Sequence, residues 1–349
     1  MIISNSERAS YQRCRLRWYY EYVKGIAPKK RNIKLLTGSA FHKFLEIWYK
    51  TKGDFEQAFN AMNDLIDDEI KNWDIDEVDE VMLKEMKILL EGMAKNYTSW
   101  YKEDLKKWNI LETEKNYKIQ LPNGIWYDFT IDMLIEDENG QKWLVDHKTA
   151  SSIAWFRTNT PLDRQISYYL KAYKLLFPKQ NIVGMIYNII EKDFPEPPKV
   201  LKNGKLSQAT NQKTTYELYV RTLRDYYRLQ YPEFNPAVTW EEFISEYQSF
   251  LDYLSKKPNE YFYREKVIRL DAELDIAWQE LIAVSKEKQA LTERALQGKM
   301  EYIYRNPTKD CSWDCAYKEL CLAGLTESDT KYLIENLYTT NTYLRKENE

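Results

Sequence analysis

The spacing of hydrophobic positions changes from helical to alternating and back along this chain. From Ser4 to about Val23 apolar side chains recur at helical intervals, with Ser4 or Ser6 available as an N-cap and Gly25 as a terminator. A second helix follows, which Thr37 can cap, and Phe41, Leu45, Trp48 and Tyr49 form its apolar stripe. Residues 54–72 and 78–108 predict two more helices, the second long. The period then falls to two. Residues 112–121 (ETEKNYKIQL), 125–135 (IWYDFTIDMLI) and 142–148 (KWLVDHK) predict three strands, joined through Pro122-Asn123-Gly124 and Glu138-Asn139-Gly140 into a meander. A helix is predicted over 161–177, with Pro161 in its first turn, and a buried strand over 181–190 (NIVGMIYNII). After the proline-rich break DFPEPPKV come helices over 215–231 and 271–298, a strand over 259–270 between them, and a polar helix over about 327–346. The pattern is α/β, helices around a small β-core.

Composition narrows the class. The length, 349 residues, suits two domains or one large domain with insertions, and 44% hydrophobic with 30% charged residues fits a soluble globular protein. No apolar stretch approaches membrane-spanning length, and the N-terminus, MIISNSERASYQRCR, lacks a signal-peptide core, so no membrane partner and a cytoplasmic location are expected. Four cysteines are then poor disulfide candidates. A net charge of −3 gives no hint of a nucleic-acid partner, but it is unevenly distributed. Residues 1–35 hold nine basic side chains and two acids; residues 54–91 hold thirteen acids and three lysines. The acidic run reads as a solvated helix face. The basic segment is interleaved with Tyr11, Trp18, Tyr19, Tyr20 and Tyr22, a mixture that can grip phosphates and stack on bases, although the aromatics taken alone read as core.

The meander carries the strongest chemistry. Asp146 and Lys148, two apart on one strand, project to the same face, and the hairpin can bring Asp132 beside them. Two carboxylates so placed repel unless a cation sits between them, and hard oxygen ligands suit Mg²⁺ or Mn²⁺. Such an ion can activate water for phosphodiester hydrolysis, with the lysine neutralising developing charge. An edge strand with exposed charges is the plainer explanation, but Leu144-Val145 and Ile131, Met133 and Leu134 make both strands apolar, and charges in such strands need partners. His42, on the early helix with Glu46 one turn on, is a candidate nitrogen ligand. The other histidine, His147, lies within the Asp-x-Lys triplet; its ring faces away but its backbone carbonyl is available to a metal.

These segments resemble the PD-(D/E)XK nuclease superfamily, in particular its RecB-type exonuclease branch. The matching pieces are GSAFHKFLE at 38–46, TIDMLI at 130–135, VDHKTA at 145–150 and QISYYLKAY at 165–173, in the family's order, and the resemblance spans about residues 4–325. It implies a restriction-endonuclease-like α/β core, a small mixed sheet flanked by helices. It implies metal ligation by His42, Asp132, Asp146 and the His147 carbonyl, catalysis by Lys148 with the two aspartates, and DNA contacts from Gln165 and Tyr169. The triplet departs from the usual pattern in having His147 where an apolar residue is common. Glu112 or Glu114 can also be a family acid, and neither is chosen.

The cysteines add a second resemblance. Cys311, Cys315 and Cys321 cluster near the C-terminus, and Cys14 lies 297 positions earlier in the basic helix. Structural zinc usually draws on tight cysteine pairs. This arrangement is similar to the iron–sulfur staple of AddB-type and CRISPR-adaptation nucleases, which implies a [4Fe–4S] cluster on the four thiolates, with zinc as second choice because three residues rather than two separate Cys311 from Cys315. Such a staple would hold Arg13, Arg15 and Arg17 beside the core as DNA contacts.

The expected organisation is a basic arm (1–50), a helical insertion (51–110), a nuclease core (111–300), a cysteine-rich segment (301–325) and a polar C-terminal helix (326–349). Lys199, Lys202 and Lys205 surround an Asn203-Gly204 turn that can touch a nucleic-acid backbone or form a plain surface loop. The functional expectation is a metal-dependent DNA exonuclease acting on single strands or duplex ends. The alternative is a catalytically silent DNA-binding subunit of a helicase or recombination complex. No P-loop is present, so the chain carries no built-in ATP motor of that kind.

Overall fold

Helix caps and breaks set the course of the chain. In the computed structural model, which describes residues 1–232, 238–257, 259–326 and 328–340, strand β1 (Ile2–Ser4) enters α1 (Asn5–Arg13), capped by the Ser4 hydroxyl. The helix expected to reach Val23 is interrupted at Cys14, whose extended backbone (φ −161°, ψ 118°) separates α1 from α2 (Arg15–Trp18) and a π-helical turn, Tyr19–Val23. Gly25, at φ +62°, ends the run. After β2 (Ile26–Pro28), α3 (Ile33–Lys50) begins before the expected cap. Asn32 is the N-cap, because its side chain accepts from the Lys34 N–H, and Thr37 lies inside the helix with its hydroxyl on the Ile33 carbonyl. The helices α4 (Phe55–Ile70) and α5 (Glu77–Trp100) are capped by Asp54 and by an Asp76/Asp79 capping box, and the short α6 (Asp104–Lys107) precedes the sheet.

The expected meander is present as β3 (Asn109–Gln120), β4 (Trp126–Glu136) and β5 (Lys142–Ala150). A helix the sequence pattern did not reveal, α7 (Ile153–Asn159), follows. Pro161 sits in a 3₁₀ turn ahead of α8 (Arg164–Leu176) rather than in the helix, which Asp163 caps. Then come β6 (Ile182–Glu191), α9 (Tyr216–Gln230), α10 (Trp240–Ser245), α11 (Gln248–Lys256), β7 (Phe262–Val267) and the long α12 (Asp271–Leu296). The chain continues through α13 (Lys318–Ala323), α14 (Thr330–Leu337) and β8 (Tyr338–Thr340). The final helix is thus shorter than expected: it stops at Leu337 because residues 338–340 pair antiparallel with 26–28, and residues 341–346 of the expected helix lie outside the described residues.

Six strands form one mixed sheet, in the order β1-β4-β5-β6-β7 with β3 also on β4. The strand β4 is the key to the site. One of its edges is occupied along its length by β3. The other edge is shared: β1 pairs in parallel with Trp126–Asp128, and β5 pairs antiparallel with Met133–Glu136 only. Residues 129–132 therefore face a gap in which neither neighbour completes the ladder. Beyond the gap β5 continues alone on that side, held from behind by its long parallel pairing with β6.

Both sheet faces are covered. One carries α8 and α12, whose Ile166, Tyr173, Leu274 and Leu281 pack on Tyr127, Phe129, Leu144 and Tyr187. The other carries α3, α4 and α5, whose Phe41, Leu45, Met62 and Leu90 share a core with Met133, Trp143, Val145 and Ile186. The aromatics of the basic arm are mostly core, as their spacing suggested: Tyr11, Trp18 and Tyr19 pack with Leu291 and Ala295 of α12. No described helix is long and apolar enough to cross a membrane.

Gly184 marks the closest approach within the sheet, since a Cβ there would collide with the Val267 carbonyl oxygen of β7 and press on the Trp143 ring. Backbone on the neighbouring strand cannot yield as a side chain can. Gly184→Ala is therefore expected to destabilise the fold by about 1–3 kcal/mol, read as a lower urea midpoint. An unchanged midpoint would show that β6 and β7 can part there without cost.

Candidate metal centre and cysteine cavity

The gap in the β4 edge is filled by chemistry instead of ladder hydrogen bonds. Asp132, the last residue before β5 pairing begins, turns its carboxylate across the gap, and Oδ2 accepts the His147 backbone N–H at 2.6 Å. On β5, Asp146 is 2% exposed, and its Oδ2 lies 2.7 Å from the Lys148 ammonium. Apart from that ammonium, no donor among the described residues reaches the buried Asp146 Oδ2. His42, brought in by α3, places Nδ1 3.6 Å from Asp132 Oδ2 and also faces the His147 backbone. The fourth member is Glu114, on β3. One ligand atom each from His42, Glu114 and Asp132 lies within 4.8 Å of the others.

The choice between the two glutamates follows from backbone geometry. A register shift between Ile110 and Glu112 and a φ of +45° at Glu114 turn the Glu114 side chain into the site. Glu112 instead receives the Tyr117 hydroxyl. Nothing in an alternating sequence announces such a bulge.

Electrostatics agree with a site built for a cation. Burial raises the pKa of both Asp132 and Asp146, against the pull of Lys148. Burial, then Asp132 and Glu46, push Glu114 up to about 8. Burial opposes charge on Lys148, but the two aspartates overcome it and raise its pKa. Burial and Lys148 lower His42 to about 4, which leaves its imidazole neutral and its lone pair free at neutral pH. Crowded carboxylates and a neutral imidazole fit a hard divalent cation such as Mg²⁺ or Mn²⁺.

The N-terminus reaches this centre by a route the sequence did not suggest. The Gln165 amide donates to Asp146 Oδ1 at 2.8 Å, while its own oxygen accepts from Asn5 Nδ2 at 3.0 Å. The Arg8 guanidinium donates to Asn5 Oδ1 and so fixes which way both amides point. Tyr169, one turn after Gln165, sets its ring beside Phe129, with centroids 5.4 Å apart; burial, then Asp146 and Asp132, raises its pKa.

The His147 ring lies on the opposite face of β5, buried and stacked on Tyr49. There it joins a closed ring of hydrogen bonds. Arg264 donates to Asn188 Oδ1 at 3.2 Å and to both oxygens of Asp104. Asn188 Nδ2 donates to His147 Nδ1 and to the Tyr97 hydroxyl, each at 2.8 Å, and Tyr49 links Tyr97 to Asp104. Because Arg264 only donates, the Asn188 amide can face one way only, and His147 Nδ1 must be the acceptor. The network ties β5, β6 and β7 to α3, α5 and α6 directly behind the site.

The four cysteines come together. Cys14, Cys311, Cys315 and Cys321 line one cavity of about 580 Å³, at the break between α1 and α2. Backbone N–H groups of Asn306 and Thr308 donate to the sulfurs of Cys14 and Cys311 at 3.4 and 3.3 Å. Arg13 pairs with Asp314 at 2.5 Å and Arg17 with Glu21 at 3.4 Å, yet each keeps one buried guanidinium nitrogen without a hydrogen-bond partner among the described residues, Nη2 of Arg13 and Nη1 of Arg17. Both residues line the cavity. Arg15 lies between the Tyr11 and Tyr304 rings. All three arginines thus make contacts within the protein. The Asn203-Gly204 turn forms as expected, with Gly204 at φ +71° and Lys205 paired with Glu246.

The raised carboxyl pKa values make metal uptake pH-dependent. Each acid must lose its proton to ligate, so protons compete as pH falls through the raised values. Mn²⁺ affinity is expected to weaken by more than about tenfold on acidification from near the Glu114 value, about 8, to the ordinary carboxylate range, with proton release on binding. Calorimetry in two buffers of different ionisation enthalpy reads both. A flat affinity would mean that these acids are not the ligands.

A sequence profile of the PD-(D/E)XK nuclease superfamily matches residues 2–322, which include every residue of the metal centre and all four cysteines. No curated protein matches the chain. The mixed sheet flanked by helices, with acids and a lysine gathered at a break in its pairing, agrees with that match, and the chain belongs to the PD-(D/E)XK nuclease superfamily.

Proposed function

We propose that this nuclease is a Mg²⁺- or Mn²⁺-dependent deoxyribonuclease that works as an exonuclease at or near DNA ends, on single strands or frayed duplexes. The observation that carries the reading is the meeting of His42, Glu114, Asp132, Asp146 and Lys148 at the unpaired stretch of β4. In this reading His42, Asp132, Asp146 and the His147 carbonyl hold the ion, and Glu114 joins them. When bound, the ion supplies Lewis acidity and lowers the pKa of a water. Lys148, tethered to Asp146, orients the attacking water and offsets charge growing on the phosphate. Gln165 keeps Asp146 aimed, and Tyr169 beside it meets the strand. Nothing in the fold or the family match supports the helicase or recombination partner considered from the sequence.

The cysteine cavity is proposed to hold a [4Fe–4S] cluster on Cys14, Cys311, Cys315 and Cys321. One observation supports the cluster over zinc, and a second fits either. Tetrahedral thiolates on one zinc lie about 3.8 Å apart, given Zn–S bonds of about 2.3 Å, whereas no three of these sulfurs lie within 4.8 Å of one another. The unpartnered nitrogens of Arg13 and Arg17 also suit sulfur acceptors and the negative charge of four thiolates.

Two measurements test these readings. With Mg²⁺ or Mn²⁺, the protein is expected to shorten end-labelled oligonucleotides and to spare circular or end-blocked ones, and Lys148→Ala to lose at least about a hundredfold in rate. Cutting of closed circles would make it an endonuclease, and no cutting of any DNA would end the proposal. Protein purified without oxygen is expected to be brown, and Cys315→Ala to lose both the colour and several degrees of melting temperature while the metal centre still binds Mn²⁺. Colourless protein with stoichiometric zinc would replace the cluster by zinc.

A further inference from the structure

One cation beside the metal centre has no counter-charge among the described residues. Lys192 follows β6, and its backbone N–H closes on the Ala150 carbonyl at the end of β5. Its side chain runs back over α3. The ammonium is half-buried and donates to the Lys34 carbonyl at 2.6 Å. It lies about one turn from His42, on the same side of α3: a Cβ built on Gly38 would sit 4.0 Å from Lys192 Nζ and 3.1 Å from Thr149 Oγ1. The Lys192 charge acts on His42. The charge acting on Lys192 is the ammonium of Lys34, exposed beside it, and burial and that neighbour both push its pKa down. Most other lysines flanking the site are neutralised: Lys148 by Asp146, Lys43 by Glu46, Lys30 by Asp79.

Two like charges held near each other, one of them half-buried, are a cost that no carboxylate in the described fold offsets. An anion from outside offsets it. We infer that Lys192 and Lys34 form a phosphate-binding pair that grips the substrate strand one step from the scissile phosphate, on the His42 side of the metal centre. Gly38 leaves room at the subsite: a Cβ there would be tight against Thr149 Oγ1 and in ordinary contact with the Lys192 ammonium. The pair takes a phosphodiester through charge and hydrogen bonds, without reading the base. The inference rests on the nucleic-acid substrate proposed above.

Binding and cleavage measured separately keep the two claims apart. A short fluorescein-labelled single-stranded oligonucleotide is titrated in EDTA over a range of salt, so that no turnover occurs. Against wild type, the Lys34→Met/Lys192→Met double variant is expected to bind roughly tenfold more weakly at low salt. Its plot of log affinity against log salt should flatten by about 0.7 for each phosphate no longer gripped. Lys192→Arg should restore most of the affinity and slope, which a packing role would not require. Mn²⁺ affinity and melting temperature serve as controls for the metal centre and the fold. A mononucleotide that competes as well as the oligonucleotide would assign the pair to a free terminal phosphate and overturn the grip on the strand; failure to compete is the expected result. Wild-type-like affinity and slope in a double variant whose parent still cuts DNA would overturn this inference alone. A parent that neither binds nor cuts DNA would overturn both.

Discussion

The structure depends on keeping two carboxylates, buried Asp146 and half-buried Asp132, in the seam between β4 and β5. Like unit charges about 4 Å apart repel by about 4 kcal/mol at an effective dielectric of 20. Burial raises the pKa of both Asp132 and Asp146, and the neighbouring Asp132 raises that of Asp146 further. The sheet tolerates the arrangement because the carboxylates replace something. Where β4 and β5 stop pairing, the His147 N–H would lack an acceptor, and Asp132 supplies one. Lys148 supplies part of the missing positive charge. The remainder is the electrostatic demand that a divalent cation meets. The seam therefore joins a hole in the hydrogen-bond ladder with a deficit of positive charge.

A seam without ladder hydrogen bonds needs support from behind. On one side of β5 that support is the nine-pair register with β6. On the far face it is the ring from Arg264 through Asn188, Tyr97 and Tyr49 to Asp104. The guanidinium is stacked on Tyr101 at 3.7 Å and on Trp108 at 4.4 Å, and it is bidentate on Asp104, so its charge is shielded as well as paired. Removing one partner of such a buried pair costs about 3–5 kcal/mol, because the other is left charged and alone. His147 links the two halves. Its backbone N–H serves the metal centre and its ring is fixed by the network, so position 147 carries a polar residue where an apolar one would leave one of the two Asn188 amide N–H groups without an acceptor.

Much of this was legible in the sequence for a physical reason: strand periodicity places i and i+2 on one face, so Asp146 and Lys148 had to emerge together, and apolar flanks required them to be interior. The same rule put the His147 ring on the other face. What periodicity cannot convey is departure from periodicity. The bulge and positive φ that select Glu114 over Glu112 leave no trace in the alternation of ETEKNYKIQL. Extended Cys14 breaks a helix whose apolar spacing runs on unbroken through it. Contacts between distant segments were equally hidden. Asn5 and Gln165 are 160 positions apart, and Lys192 and Lys34 are 158 apart.

Charge counting alone does not tell which cations are already engaged. The arginines of the basic arm looked available to DNA because a sequence shows how many cations a segment has and not which are already engaged. Arg13 and Arg17 each spend one nitrogen on a carboxylate and leave another buried and unpartnered at the wall of the cysteine cavity, while Arg15 is held between two tyrosines. Buried guanidinium nitrogens that lack acceptors are costly unless something accepts from them, and the groups facing the cavity are four thiols. Burial raises the Cys315 thiol pKa, and Arg17 pulls against it. The charge of Arg13 and Arg17 therefore suits the proposed sulfur ligands. A nucleic-acid strand draws most readily on cations without a carboxylate partner among the described residues, and beside the metal centre that leads to Lys34 and Lys192.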